Sequence, residues 1–505
     1  MADEAEIRES LRTKGILALT ALIVFGCLVW GWKHRGGSVD MALHYALVEF
    51  IREHWVWPTL RDTHMGEMNQ YPPVSHTIAA IVGLLTGSSF LGLHLVSTAS
   101  AIVVLAILFV LLRFRSAGAT LSATTALAII LLVFQYSHVF LGREITGNFF
   151  YPQLFGEMCV FSLVLLRSRL SLGVAAEIGS AIGATFLLGW VYPIAAVQLA
   201  GIAIVWRALL LSKAWYESRR LGGGELLSFA ILFIGLLAAI LFHPLFPVVT
   251  NLAINEGDVG VRVPRALVIP ATFLLCALTV VLGFEFARRR LTLRAPDAFV
   301  ALCGGVACAS LAQEAAFYLL GIGSRYGVYK HIFPVSTLLV AALIVCFIHF
   351  RRLDAIAKTG HRKAQLARFA FVPATLIALA AGNVPWRGER LAPILRAEAY
   401  LRSTMMARTD PVIEAHAVLL GGGYIERFGF SMGILHLPKE IALALIYENR
   451  STPEEREAIV ARTPITYAFV SSSAVRDPAC AVGADEAARL TMVLYACHQS
   501  SLQSK

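Results

Sequence analysis

The chain has 505 residues, of which 57% are hydrophobic and 15% charged, with a mean hydropathy of +0.69. An average soluble domain carries about a quarter charged residues, and a soluble core stops growing near about 250–300 residues. A soluble, disordered, collagenous or disulfide-scaffold protein is therefore excluded, and the composition is that of a polytopic α-helical membrane protein. The net charge of +10 reports membrane topology and anionic head groups first. No zinc-finger spacing, basic helix or aromatic-basic interleave points to nucleic acid.

Runs of about 17–25 apolar residues are candidate spans. They fall near 15–32, 93–113, 119–141, 152–168, 171–190, 193–211, 226–243, 267–286, 298–322, 331–350 and 369–385. The first lacks a small-residue cleavage site and is too long for a signal-peptide core, so it is expected to stay as a span. Cys27, Cys159, Cys276, Cys303, Cys308 and Cys346 lie inside the runs as small hydrophobes.

The stretch 74–90 is apolar too, and the positive-inside rule decides its reading. If it does not cross, 21 Lys and Arg gather in the loops of one side against nine on the other. The expected topology is then about 11 transmembrane helices, with the N-terminus inside and 74–90 as an interfacial or re-entrant helix. Residues 1–385 form the membrane domain, and 386–505 form a small α/β domain on the outer face. The tail holds 13 Lys and Arg and 13 Asp and Glu, an ordinary globular balance. Thr452, Pro453 and Glu455 make a capping-box helix start over 453–462. Ile465 to Val470 reads as a strand and Asp485 to Cys497 as a helix. Cys480 and Cys497 lie outside the apolar runs, on the expected outer face, where an oxidising compartment permits a disulfide between them.

The first outer loop is the most informative. Over about 38–56, Leu43, Leu47, Phe50 and Ile51 share one stripe, while Asp40, His44, Glu49, Arg52 and Glu53 lie elsewhere on the wheel. That is an amphipathic helix lying along the interface, with Asp40 and His44 four apart on one face. Trp55 and Trp57 suit the head-group belt. Asp62, His64, Glu67, Asn69 and Tyr71-Pro72-Pro73 follow, ahead of His76.

An acidic residue opening a helix in the first outer loop, then a Tyr-Pro-Pro turn into a second interfacial helix and many spans, resembles the GT-C class of integral-membrane glycosyltransferases. That class includes protein O-mannosyltransferases, aminoarabinose transferases and arabinofuranosyltransferases. The resemblance covers the architecture of the whole chain and specific residues at 38–76. The family often shows two adjacent acids at the key position; Val39-Asp40 supplies one. The resemblance implies a GT-C-like bundle in a bacterial inner membrane. A sugar would pass from a polyprenyl-phosphate donor to a hydroxyl of a glycan, lipid or protein acceptor on the extracytoplasmic face.

The chemistry fits the placement. Inverting transfer needs one carboxylate to take the acceptor proton. A phosphate leaving group needs no general acid where cations meet its charge, unlike hydrolysis with its two carboxyls. Asp40 is the candidate base; its plainer role is an N-cap. Arg325 and Lys330, interleaved with Tyr326 and Tyr329, are candidates for the donor phosphate, or else snorkelling anchors. His44, Glu67, Tyr71, His76, Glu144, Asn148, Tyr151 and Tyr329 are candidate substrate-binding residues. Glu144 could instead pair with Arg143. Glu157 and Glu314 lie within spans, where an ionisable group is costly and a functional candidate. Glu285, beside Arg288 and Arg289, reads as structural. No cofactor is implied; a divalent metal could join through Asp40, though nothing in the spacing requires one. Two rival readings are a transporter or flippase of lipid-linked glycans and a glycan polymerase or ligase. No paired repeat of broken helices supports transport.

Overall fold

With no water in the bilayer core to bond to backbone polar groups, an apolar chain crosses it as helix. The computed structural model describes residues 39–59, 68–69, 71–134, 140–141, 151–220, 222–246 and 268–357. In the tail it describes 395–403 and 452–458 in part, 412–414, 467–471, 475, 477–485, 490–494 and 497. The helices are α1 (Val39–His54), α2 (Val74–Thr86), α3 (Ser89–Leu111), α4 (Ala117–Phe134), α5 (Tyr151–Arg167) and α6 (Val174–Val191). They continue with α7 (Pro193–Ser218), α8 (Gly223–Leu241), α9 (Val268–Ala287), α10 (Pro296–Leu320), α11 (Arg325–Lys330) and α12 (Ile332–Ala357). Among the described residues seven helical segments are long and apolar enough to cross a membrane: α3, α6, α7, α8, α9, α10 and Tyr326–Arg351. The chain is thus a polytopic helical membrane protein with a small sheet in its tail. The expected spans 15–32 and 369–385 lie outside the described residues. At 13 residues, α2 is about 20 Å long and falls short of a bilayer core of about 30 Å.

The residues group into two compact units, residues 1–30, 99–144 and 153–385 in one and 31–98, 145–152 and 386–505 in the other. In the first, α7 packs on α10 at backbone contact. A Cβ on Gly201 would meet the Gly305 carbonyl oxygen at 2.5 Å, so a small residue is needed there, as in close helix pairs in lipid.

In the second unit α2 and α3 form a tight hairpin. Gly87, in the left-handed region at φ +74°, ends α2, and Ser88 N–H bonds Gly83 O at 2.9 Å, a glycine stop of the usual kind. A Cβ on Gly92 would collide with the Ala79 carbonyl oxygen and the Gly83 backbone. The four apolar residues expected on the inner stripe of α1, Leu43, Leu47, Phe50 and Ile51, are all buried. The expected open polar face is not: His44, Glu49 and Arg52 are buried as well. His44 is covered by rings of the Tyr-Pro-Pro turn, α2 and the start of α5, and Glu49 by a tail segment that pattern alone does not place.

The tail sheet has the order β1-β2-β4-β3, from β1 (Val412–Glu414), β2 (Tyr467–Ser471), β3 (Ala481–Asp485) and β4 (Leu490–Leu494). β1 pairs parallel with β2, and the other pairs are antiparallel, with Phe469 opposite Met492. The expected strand over 465–470 is β2, and the capping box is present, Thr452 N to Glu455 Oε2 at 2.7 Å and Glu455 N to Thr452 Oγ1 at 3.2 Å. The helix expected over 485–497 is corrected: Leu490–Leu494 is a strand. Its alternation decides this, Thr491 and Val493 buried and Leu494 exposed, a period of two with β-branched residues inward.

Candidate functional site

α1 presents the candidate acid. Asp40 lies in its first turn, and one turn on, His44 enters a buried cluster of rings. His44 Nδ1 is 2.9 Å from His76 Nε2. The His44 ring centroid lies 5.3 Å from that of Tyr71, 5.1 Å from His76 and 6.3 Å from Tyr151. His76 meets Tyr71 and Tyr151 edge to face, both at 5.6 Å. Four residues chosen from sequence, His44, Tyr71, His76 and Tyr151, therefore meet in one place, drawn from α1, the Tyr-Pro-Pro turn, α2 and the start of α5.

The hydrogen bonds fix a tautomer, assigned here from the network. His76 Nδ1 sits 3.3 Å from Pro72 O, a pure acceptor, so Nδ1 carries the proton and Nε2 accepts from His44 Nδ1–H. Burial lowers the His76 pKa to about 3, so the ring is neutral at physiological pH. The Tyr151 hydroxyl donates to Ser75 O, which ties the first residue of α5 to α2. Both amide atoms of Asn69, beside this turn, are buried with no hydrogen-bond partner among the described residues. Such a group carries an unmet cost unless something binds it.

The tail clamps α1 and the α2–α3 corner. Buried Glu398 accepts from Tyr45 Oη at 3.1 Å and Phe90 N at 3.0 Å, and from the Ser88 hydroxyl. Burial raises the Glu398 pKa. Burial and then the neighbouring Glu398 hold the Tyr45 phenol well above its ordinary pKa. Arg402 donates to Gly87 O at 3.2 Å and pairs with Glu49.

In the other unit, Gly321 and Gly323 turn the chain with φ of +65° and +94°, and Ser324 Oγ caps α11 by accepting from Gly327 N at 3.1 Å. Arg325 opens α11 and Lys330 ends it. The Lys330 ammonium donates to Tyr192 Oη at 3.2 Å and stands 4.3 Å from the Tyr326 ring centroid. Tyr329 is half-buried on the same turn. Under it runs a network of glutamines: Gln153 Nε2 donates to Lys330 O at 2.7 Å and to Glu157 Oε1 at 3.2 Å. His331 bonds Gln313 Oε1 at 2.6 Å and Gln198 Nε2 at 3.4 Å. Gln153, Gln198, Gln313 and His331 were not singled out from sequence. The usable signal was three amides inside apolar helices, costly in lipid unless partnered.

Glu67, Glu144 and Asn148 lie outside the described residues. Glu314 accepts from Thr272 and Ser310, each at 3.1 Å. Glu285 pairs with Arg288 at 3.9 Å and His349 at 3.2 Å. Asp477, Cys480 and Cys497 bring an oxygen and two sulfurs within 4.8 Å of one another. The two sulfurs are joined as a disulfide and offer no thiolate to a cation.

No protein-family model matches the chain, and no curated protein does. Among solved structures it is similar to the archaeal oligosaccharyltransferase AglB from Archaeoglobus fulgidus, in complex with an inhibitory peptide and a dolichol-phosphate. The identity is 14% and the TM-score 0.38, over 91% of this chain and 69% of that one. At that distance the chemistry has to rest on the residues of this chain.

Proposed function

We propose that this protein is a glycosyltransferase that moves a sugar from a polyprenyl-phosphate donor to an acceptor hydroxyl on the extracytoplasmic face. The observation that carries the reading is the opening of α1, where Asp40 stands one turn from the ring cluster of His44, Tyr71, His76 and Tyr151. Aromatic edges and imidazole nitrogens suit hydroxyl-rich ligands, and a carboxylate at head-group depth suits a donor whose reactive carbon hangs from a lipid phosphate. Asp40 takes the acceptor proton as the acceptor oxygen attacks the anomeric carbon. The bond to the phosphate oxygen breaks, and the polyprenyl phosphate leaves as an anion. Arg325 and Lys330 are assigned to the donor phosphate. Residues 386–505 are assigned to the outer face, as the disulfide between Cys480 and Cys497 supports.

Purified protein given a polyprenyl-phosphate sugar should release polyprenyl phosphate and glycosylate an acceptor, and Asp40→Asn should cut turnover by about 10²–10⁴-fold, the effect of one acid–base group. Near-normal turnover by Asp40→Asn removes Asp40 as the base. Movement of intact lipid-linked glycan without sugar transfer favours the transport reading instead.

A further inference from the structure

Where α3 and α5 end and α10 begins, two loops of the membrane unit pair as a short ribbon. Phe114 bridges Leu293 in antiparallel fashion. Arg294 N–H donates to Arg113 O at 2.7 Å and Arg115 N–H to Thr292 O at 2.9 Å. Phe114 and Leu293 are both buried. Side chains alternate across a strand, so the flanking residues share the opposite face, Arg113 across from Arg294 and Arg115 across from Thr292. Arg169, on the loop after α5, adds its positive charge to that of Arg294 acting on Arg113. Like charges directly opposed in a strand pair are destabilising.

Other arginines at nearby helix ends are neutralised: Arg167 by Glu177 at 2.9 Å, Arg288 by Glu285 and Arg289 by Glu217 at 2.6 Å. Among the described residues none of Arg113, Arg115, Arg169 and Arg294 has an ion-pair partner. The Arg113 Nε and the Thr292 hydroxyl are buried without a hydrogen-bond partner. The positive-inside rule accounts for arginines in these loops, but not for three of them converging without a counter-charge while the Arg113 Nε is buried unbonded.

We propose that Arg113, Arg169 and Arg294 together bind the phosphate of an anionic phospholipid headgroup. Each lies two residues from a helix end, at Leu111, Arg167 and Pro296, which is head-group depth and favours a lipid phosphate over a free one. One residue beyond Arg169, Leu170 and then Leu172 open a mostly apolar groove walled by Leu199, Ile202 and Trp206, and it takes an acyl chain of the same lipid. The guanidiniums supply forked donors to the phosphate oxygens. This site does not depend on the proposed transfer reaction.

The test is native mass spectrometry of the full chain released from vesicles of phosphatidylglycerol or phosphatidylcholine, with thermal unfolding in the same lipids. Wild type should retain phosphatidylglycerol with about hundredfold preference, three arginines each giving a gain near fivefold close to an anionic head group. The double variant Arg113→Gln, Arg294→Gln should lose the preference, whereas Arg220→Gln should keep it. In phosphatidylcholine the double variant should unfold no earlier than wild type, since it removes a repulsion, and this separates lost binding from lost folding. Equal retention of the two lipids by wild type, or unchanged preference in the double variant, overturns the proposal. Stabilisation by inorganic phosphate alone as large as by phosphatidylglycerol replaces the lipid with a free phosphate as the ligand.

Discussion

Arg402 in the tail places its Nε 2.8 Å from Glu49 Oε1 in the middle of α1, and Arg52 of α1 reaches the same oxygen at 3.0 Å. The Glu49 side chain is fully buried, and that of Arg402 is 24% exposed. An ionised carboxylate in such a place depends on its partners. Arg402→Ala should therefore lower stability by about 1–3 kcal/mol, less than a fully broken buried pair because Arg52 remains. Adding Glu49→Gln should recover part of the loss, since no buried charge is then stranded. Thermal unfolding of the single and double variants reads this. A neutral Arg402→Ala would mean that the tail does not hold α1 in solution.

Glu398 separates hydrogen bonding from charge. Three donors converge on its carboxylate, while burial raises its pKa, so the charged form is a cost of folding. Glu398→Gln should be close to neutral: the amide oxygen still accepts from Tyr45 and Phe90, and the Ser88 hydroxyl can turn to accept from the new N–H. Glu398→Ala should cost about 1–3 kcal/mol by stranding buried donors. Equal loss in both variants would show that the charge itself is needed.

This clamp marks the boundary of what the sequence makes legible. Length and hydropathy place the helices, because backbone satisfaction in lipid allows little else. The stripe on α1, the Tyr-Pro-Pro turn and the capping box at Thr452 are local patterns with local causes. So is the strand at Tyr467. Glu398 and Arg402 act on residues more than three hundred positions away, and nothing in their own surroundings shows it. The helix read over 485–497 failed for the opposite reason. Asp485-Glu486-Ala487-Ala488-Arg489 is rich in helix formers, but sheet pairing with β2 and β3 sets the state of Leu490–Leu494. At the site, residues chosen for chemistry near a turn do converge, as His44 and His76 show, whereas the glutamines under Lys330 were passed over because they carry no charge.

Lys330 tests the proposed donor contact. Its ammonium is set by the Tyr192 hydroxyl and the Tyr326 ring, both of which leave the positive charge in place. Lys330→Ala should raise the KM for a lipid-phosphate sugar by about 10–100-fold, the worth of a hydrogen bond to a charged group. The KM for the acceptor should change far less. Tyr192→Phe, which removes a holding contact and keeps the charge, should have a smaller effect in the same direction. Kinetics with each substrate varied in turn decide it, and a defect confined to the acceptor would reassign the residue.

His76 makes the ring cluster sensitive to acid. Its folded pKa of about 3 lies below the ordinary 6.5. The unfolded chain therefore binds the proton more readily, and protonation favours unfolding. Stability from this group is complete above about pH 6.5 and declines as pH falls from there towards about 3. His76→Gln should flatten that part of the stability–pH curve while lowering stability at neutral pH through the lost bond to His44. Unfolding midpoints at a series of pH values compare the two slopes, and identical slopes would show that His76 is reached by water.

Cys480 and Cys497 are joined as a disulfide, with Cα atoms 5.5 Å apart and a sequence separation of 17. Cys480 immediately precedes β3 and Cys497 follows β4, so the bond closes the open end of the β3–β4 hairpin, where Ala481 pairs with Val493. A hairpin at the edge of a four-stranded sheet gains from such a closure because the loop it removes is large for so small a core. Closing a loop of this length contributes about 3 kcal/mol in the chain-entropy model. Replacing both cysteines with serine should lower the stability of the tail by up to about that amount while leaving the helices of the membrane unit in place. Thiol alkylation of unfolded protein, followed by peptide mass analysis, should label Cys480 and Cys497 only after reduction, whereas Cys303 and Cys346 should label with or without it. Labelling of the tail cysteines without reductant, in protein made in its own membrane, would show that the bond does not form. It would also remove the main support for placing residues 386–505 on the outer face.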